Sequence, residues 1–461
     1  MNQSDTVGGA SAPSLHEAIE HAGGALPVLR NADARPHTFP VAPEFSNWRS
    51  EQHAWRSTCA LLDQSHHMTD LFVSGPDALT LFKQLGVNSF TNFTPGRAKQ
   101  FVAVSPDGFL IGDAILFHLA DQSFDLVGHP MVLDWVQFHL QTGGHDATCE
   151  RDENSIVRRS GPPKQFRYEL QGPTAGALIE ALTGEPLPDI RFFNLGWLNV
   201  EGLQVRALRH GMAGQPGFEL FGPWEQGERV REALLRVGEG FGLVPAGAKA
   251  YSTANLESGW VPSPLPAIFS GDELERYRRW LPARSAGSLG GSLLSSRIED
   301  YYLRPADLGY DRIVAFDHDF VGREALEQLG EPERTKVTLV WNADDVAAAA
   351  ATLLHEGVPA KYIDMPKARY ALYQVDRVLA GGEDVGISHD CGYIANERAF
   401  VSLASVELQH ARPGTELSVI WGEEPNSTKP QVEPHRQVEI RATVAPAPYV
   451  DFARTGYRSN G

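Results

Sequence analysis

The chain has 461 residues, 42% of them apolar and 21% charged, with a formal net charge of −18 at pH 7. That length suits about three globular domains of roughly 150 residues each. The negative balance, with no basic run longer than RYRRW at Arg276–Trp280, argues against nucleic acid or an anionic membrane as partner.

The three cysteines, Cys59, Cys149 and Cys391, are scattered and lack CxxC spacing, so neither a disulfide framework nor a cysteine-based zinc site is expected. The histidines show no HExxH-like spacing, and no metal is expected. Residues 1–14 are rich in Ser, Gly and Ala without an apolar stretch and read as a disordered tail, not a signal peptide. No apolar run approaches a membrane span, and a cytoplasmic protein is expected.

In chain order, a helix is expected at Leu15–Ala22 and another around Ser50–Cys59. LLDQSHHMTDLFVSG (Leu61–Gly75) follows, with LFV as a strand, and Pro76 opens the helix DALTLFKQLG. Strands at Lys99–Val104 and Phe109–Leu119 flank SPDG, a hairpin signal. Another strand, a turn at Gly128–His129 and a helix from Pro130 to Gly143 complete a first α/β unit. RYELQGPTAGALIEALTG (Arg167–Gly184) then repeats the phrase strand, Gly-Pro, helix, which points to two related halves. From about Lys336 short strands and turns predict a small all-β domain.

The expected architecture is therefore α+β. Residues 1–59 form an N-terminal segment packed on the second half, 60–145 a first α/β domain, and 146–335 a second with an insertion at 262–300. Residues 336–461 form the C-terminal β domain. GSLGGSLLSS (Gly287–Ser296) lacks the Lys and the preceding strand of a phosphate loop and reads as a mobile loop.

The most informative stretch is LRHGMAGQPGFELFGP (Leu208–Pro223), answered by AYSTANLESGWVPSP (Ala250–Pro264). Alternation in the FEL segment sends Glu219 to the face opposite Phe218 and Leu220. A carboxylate there suits a flat donor–donor edge, either a guanidinium or an aminopyrimidine ring; a solvated surface glutamate is the plain alternative.

Several phrases, in order, resemble the folate-dependent aminomethyltransferases, the glycine-cleavage T-protein and its relatives. They are LLDQSHHMTDLFVSGPDAL, LQGP, RHGMAGQPGFEL, DLGYDRIVAFDHDFVGREAL (Asp307–Leu326) and GTELSVIWGE, spanning about residues 50–425. Within that family, HHM, APEFSNWR, RHGMAG, LESGWVPSPLPA and GGS…SSRIEDYY resemble the bacterial O-demethylases of lignin-derived aromatic acids. The resemblance implies three domains in a cloverleaf around a central folate channel, with a C-terminal barrel-like β domain. It also implies methyl transfer from vanillate, 3-O-methylgallate or syringate to tetrahydrofolate, without an obligatory protein partner.

The residues bear this out chemically. A phenolate is a poor leaving group, because phenols have a pKa near 10, so a proton donor at the ether oxygen would help. Tyr251, a phenol itself, is matched to that task, and the resemblance points to the same phrase. Carried over from the family, Glu219 accepts from the pterin, Trp260 walls the folate channel, and Glu169 and Val127 contribute to folate binding. Vanillate-type enzymes have a glutamine where Glu169 stands. Gln171 reads as structural. Substrate recognition falls to Gln64, His67 and His129, with His66 the alternative to His67. Vanillate-type enzymes have an arginine at the position of His129; the shorter histidine leaves room for a second methoxy group, so syringate is expected over vanillate. The competing expectations are aminomethyl transfer from a lipoyl carrier and a non-catalytic folate-binding protein of iron–sulfur maintenance. The latter family's cysteine phrase has no match around Cys391–Tyr393.

Overall fold

A computed structural model describes residues 12–33 and 39–456; the tail expected over residues 1–14 lies almost entirely outside them. The N-terminal helices are α1 (Leu15–Ala22), α2 (Ala25–Asn31) and α3 (Trp48–Ser57). A Ser14/Glu17 capping box starts α1, and Gly23, with φ 75°, ends it. Then follow β1 (Cys59–Asp63), β2 (Thr69–Ser74), α4 (Ala78–Leu85), β3 (Arg97–Val104), β4 (Leu110–Ala120), β5 (Ser123–Gly128), α5 (Pro130–Thr142) and β6 (Thr148–Asp152). The second run is β7 (Gln165–Gln171), α6 (Ala175–Thr183), β8 (Leu195–Val200), β9 (Leu203–Arg209), β10 (Gly217–Pro223), α7 (Gly227–Gly238), β11 (Leu243–Ala246), α8 (Ala248–Tyr251) and α9 (Ala254–Ser258).

Two sheets share one plan. The first runs β3-β4-β5-β2-β6 and the second β8-β9-β10-β7-β1-β11. In each, a strand enters a glycine–proline turn, a helix follows, and three antiparallel strands return to lie beside it. Gly75 and Gly172 occupy the same place in the two turns with nearly the same backbone, φ 140° and 137°. A Cβ there would lie 2.6 Å from the Ala147 Cα in one case and 2.5 Å from the Thr58 carbonyl oxygen in the other, so only glycine fits both turns. The two sheets meet at their edges, where the Ala98 amide donates to Phe193 O and the Leu195 amide to Gly96 O, each at 2.8 Å.

Alternation then sorts the faces. Phe218, Leu220 and Leu170 turn into an apolar core with α6 and α7. Glu219 on β10 stands directly opposite Glu169 on β7, on the other face. That face looks toward the first sheet.

The C-terminal region is a closed six-stranded barrel, ordered Arg334–Trp341, Ala399–Glu407, Glu383–Ile394, Asp376–Ala380, Glu416–Trp421 and Val438–Ala445. Closure removes exposed strand edges. The expected mobile loop at Gly287–Ser296 is mostly buried instead: Leu289–Gly290 pairs in parallel with Tyr373–Gln374, and Ser288, Leu289 and Ser292 are buried. Arg30 donates to Gly291 O at 3.0 Å, and Lys429 to Leu289 O at 2.7 Å. The glycines that suggest flexibility serve close packing, since a Cβ on Gly291 would sit 2.1 Å from Val375 O. Among the described residues no helix is long and apolar enough to cross a membrane.

Candidate active site

A cavity of about 130 Å³ opens between the two halves, lined by Gln100, Asp113, Ile115, Val127, His129, His210, Met212 and Trp260 among others. The structure thus brings together three residues expected from sequence, Val127, His129 and Trp260. Val127 and Ile115 face each other across β5 and β4. His129 is the N-cap of α5, its Nδ1 accepting from the Met131 amide at 3.4 Å ahead of Pro130 at N1. Trp260 donates from Nε1 to Asp113 Oδ2 at 2.8 Å, which holds its ring in the wall. Asp113 also accepts from Gln100 at 2.7 Å and from Tyr310 at 3.5 Å. Burial raises its carboxyl above the usual range, with the Gln100 and Trp260 hydrogen bonds opposing.

Tyr251 and His67 do not line this cavity but form a pair beside it. Tyr251 Oη lies 2.5 Å from His67 Nε2, with the rings edge to face at 4.9 Å. Residues 65–67 form a turn, so Gln64 and His67 do not lie on one continuous strand. The turn separates the two histidines. His66 reaches Ser155 Oγ at 2.8 Å and the Trp224 ring, while His67 packs toward Tyr251 and Phe39. Burial first, and Arg167 second, press the His67 pKa down to about 3, with a hydrogen bond to the Gln64 backbone opposing. His67 is therefore neutral. With Nε2 facing Tyr251, Nδ1 is the nitrogen left to donate to the Gln64 backbone, which makes Nε2 the acceptor and Tyr251 the donor. Burial, then Glu169 and Glu219, raise the Tyr251 phenol well above its ordinary value, so it too is protonated.

Tyr251 sits at the end of α8, and α3 anchors this segment. Gln52 donates to Thr253 Oγ1 at 2.8 Å, while Trp55 and Arg56 donate to the buried Glu257 on α9 at 3.0 and 3.1 Å.

Glu169 is fully buried and collects donors: the amides of the Gln64 and Gln171 side chains and, at 2.5 Å, the Met212 N–H. Burial still raises its pKa to about 8, partly offset by the Met212 amide and reinforced by Glu219. Gln171 also accepts from the Ala213 amide at 2.6 Å and so ties the 211–215 turn to β7.

Glu219 has a partner that the sequence offered only as one of two options. Its Oε1 accepts from Arg167 Nη1. Arg167 also donates to Asp70 at 2.8 Å and lies 3.7 Å from Asp125. Phe117 and Phe221 flank its guanidinium at 5.4 and 5.0 Å. Burial opposes the charge of Arg167, but Asp70, Glu219 and Asp125 outweigh it and make the guanidinium more basic than usual. Three carboxyls on one guanidinium leave a proton to be held, and burial together with Asp70 drives the Asp125 carboxyl well above its normal range. Among the described residues no hydrogen bond engages Oε2 of Glu219.

Sequence reasoning missed Asp113, Arg167, Asp70 and Asp125. The signal available was a single charge inside an otherwise apolar strand, as in TDLFV, SFDLVG and IGDAILF.

The GCVT N-terminal domain family matches residues 15–262. The chain belongs to the glycine-cleavage T-protein family. Members of this family are enzymes that use tetrahydrofolate as one-carbon acceptor or donor. Among its T-protein relatives, a syringate O-demethylase of Sphingobium sp. is 46% identical over 97% of this chain and 98% of its own length. A sesamin methylene transferase of Sinomonas sp. is 29% identical over 83% of this chain and 84% of its own length. An aminomethyltransferase of Streptomyces coelicolor is 27% identical over 81% and 84% of the two chains. The solved glycine cleavage system aminomethyltransferase T of Bartonella henselae has the T-protein fold found here, with TM-score 0.61 at 18% identity over 91% of this chain and 95% of that one.

Proposed function

We propose that this enzyme is an aryl-methyl-ether O-demethylase that moves a methyl group from a methoxybenzoate to N5 of tetrahydrofolate. Its substrate is syringate, released as 3-O-methylgallate. The observation that carries the reading is the half-buried Tyr251–His67 pair beside a cavity walled by Val127, His129 and Trp260. The near-full-length likeness to a relative named for syringate supports the choice of ether.

The folate side of the site fits a reduced pterin. One oxygen of Glu219 is held by Arg167 and the side chain does not line the cavity, so on this reading the second oxygen alone meets the pterin's donor edge. Trp260, fixed by Asp113, supplies a flat wall. Glu169, with its pKa raised to about 8, is largely protonated near neutral pH.

In the reaction the O–CH₃ bond breaks as the N5–CH₃ bond forms. Tyr251 delivers its proton to the departing aryl oxygen, and the proton released from N5 restores the balance. In the resting site His67 Nε2 accepts the single Tyr251 O–H, so that proton turns from Nε2 to the aryl oxygen as the ether breaks; His67, with no proton on Nε2, does not compete as the acid. A general acid of this kind typically contributes about 10²–10⁴-fold. His129 borders the substrate end of the cavity, where a short side chain leaves space for a second methoxy group. Catalysis in the cytoplasm with no obligatory protein partner belongs to the same reading.

Purified protein mixed with tetrahydrofolate and syringate should yield 5-methyltetrahydrofolate and 3-O-methylgallate in equal amounts. Absence of product with every methoxybenzoate tested refutes the proposal, and one-carbon transfer from an aminomethylated lipoyl carrier would replace it.

A further inference from the structure

Beyond the main cavity lies a slot of about 20 Å³ between the first turn of α5, the Pro262–Pro266 segment and Tyr373. Asp113 and His129 line both spaces, so the slot is a recess of the proposed substrate pocket. Its volume admits one water-sized group and no more. Pro262, Pro264, Pro266, Ile111 and Val132 make most of it apolar.

Tyr373 is 1% exposed, and its hydroxyl has no hydrogen-bond partner among the described residues. Buried hydroxyls are nearly always paired, so an unpaired one at a recess calls for a ligand atom. The backbone there is pinned, its amide donating to Ser288 O at 2.9 Å, and the ring packs closely on Gly287, where a Cβ would approach Cε2 to 2.7 Å. The ring's position is therefore set before any ligand arrives.

The chemistry of the missing group follows from size and charge. A carboxylate is too large for the slot and would sit beside Asp113; Arg369, which acts on Tyr373 more strongly than Asp134 does, lies outside the lining and donates to the Ala371 and Leu372 carbonyls. The methyl of a methoxy group suits it, lying against the prolines with the ether oxygen at the mouth, where it accepts one hydrogen bond. We propose that Tyr373 and the Pro262–Pro266 slot hold the second, non-reacting methoxy group of the substrate. Tyr373 is then a specificity residue that favours dimethoxy- over monomethoxybenzoates. This rests on the reading of the site as a methoxybenzoate pocket.

The test compares wild type with Tyr373→Phe, which keeps the ring and deletes the hydroxyl. The kcat/KM ratio of syringate over vanillate should fall about five-fold, through the KM for syringate. The constants for vanillate and tetrahydrofolate, and the Tm, should stay as in wild type. An unchanged ratio overturns the proposal. So does a lowered Tm with equal losses on both acids, which marks Tyr373 as packing support. Calorimetric binding of the two acids without tetrahydrofolate separates the levels. If neither binds wild type, the methoxybenzoate reading fails and the slot assignment with it. If both bind and turn over with the ratio untouched by Tyr373→Phe, the slot assignment alone fails.

Discussion

Tyr251 Oη and His67 Nε2 lie 2.5 Å apart, and the direction of the proton between them is fixed by a third group, the Gln64 backbone. With Nδ1–H committed to that carbonyl, His67 can only accept. Tyr251→Phe should lower kcat by about 10²–10⁴-fold while leaving the Kd for tetrahydrofolate nearly unchanged. Single-turnover kinetics and equilibrium binding check the two halves of that statement. Normal turnover would move the proton donor to water or a histidine.

His67 itself makes a pH prediction. Its folded pKa is depressed from 6.5 to about 3, so it favours folding above 6.5 and loses that contribution as pH falls toward 3. In His67→Gln the Tm should decline less steeply over that window than in wild type. The same variant should lose roughly ten-fold in kcat, because Tyr251 is no longer held. Thermal scans at stepped pH and steady-state rates at pH 7.5 provide the measurements.

Glu169 behaves in the opposite sense. Its pKa is raised from 4.5 to about 8, so its contribution is complete below 4.5 and disappears as pH climbs through 8. Each unit of displacement corresponds to about 1.4 kcal/mol. Glu169→Gln, which cannot ionise, should gain in Tm relative to wild type as pH rises across that window. A constant difference between the two proteins from pH 5 to 9 would show that Glu169 does not titrate there.

Glu219→Gln removes the charge that Arg167 and the pterin are proposed to share. Tetrahydrofolate binding should weaken about ten- to hundred-fold. The protein should also lose stability by about 3 kcal/mol or more, because a buried guanidinium keeps fewer partners. Calorimetric titration and denaturant melts read the two effects separately.

His129→Arg tests the substrate end. A longer, permanently charged side chain should reduce kcat/KM for syringate and spare vanillate, lowering their ratio about ten-fold. An unchanged ratio of the two rates would remove His129 from the specificity argument.

Much of this was legible in the chain. Ser14, Glu17 and Gly23 bound α1 by capping chemistry, and Pro130 opened α5, because such signals are local. Alternation put Glu219 on the face away from Phe218 and Leu220 for the same reason. What alternation cannot supply is the partner across the gap. Arg167 lies 52 residues from Glu219, and only strand pairing reveals that the two share a face. The His66/His67 choice was hidden because a turn interrupts the strand, resetting which side each ring takes. Gly287–Ser296 read as flexible because small residues serve loose linkers and tight contacts alike.

The matched turns at Gly75 and Gly172 have a practical consequence for redesign. Because the halves share one plan, β5 and β10 occupy corresponding places, yet β5 runs into His129, at the proposed ether end, and β10 carries Glu219, at the proposed pterin end. On the proposed assignment the substrate contact of His129 and the pterin contact of Glu219 thus come from different scaffold copies. Mutant libraries confined to the start of α5 can then explore new methoxyarenes while Val127 on β5 and Glu219 on β10, the residues given to the one-carbon carrier on that assignment, stay untouched.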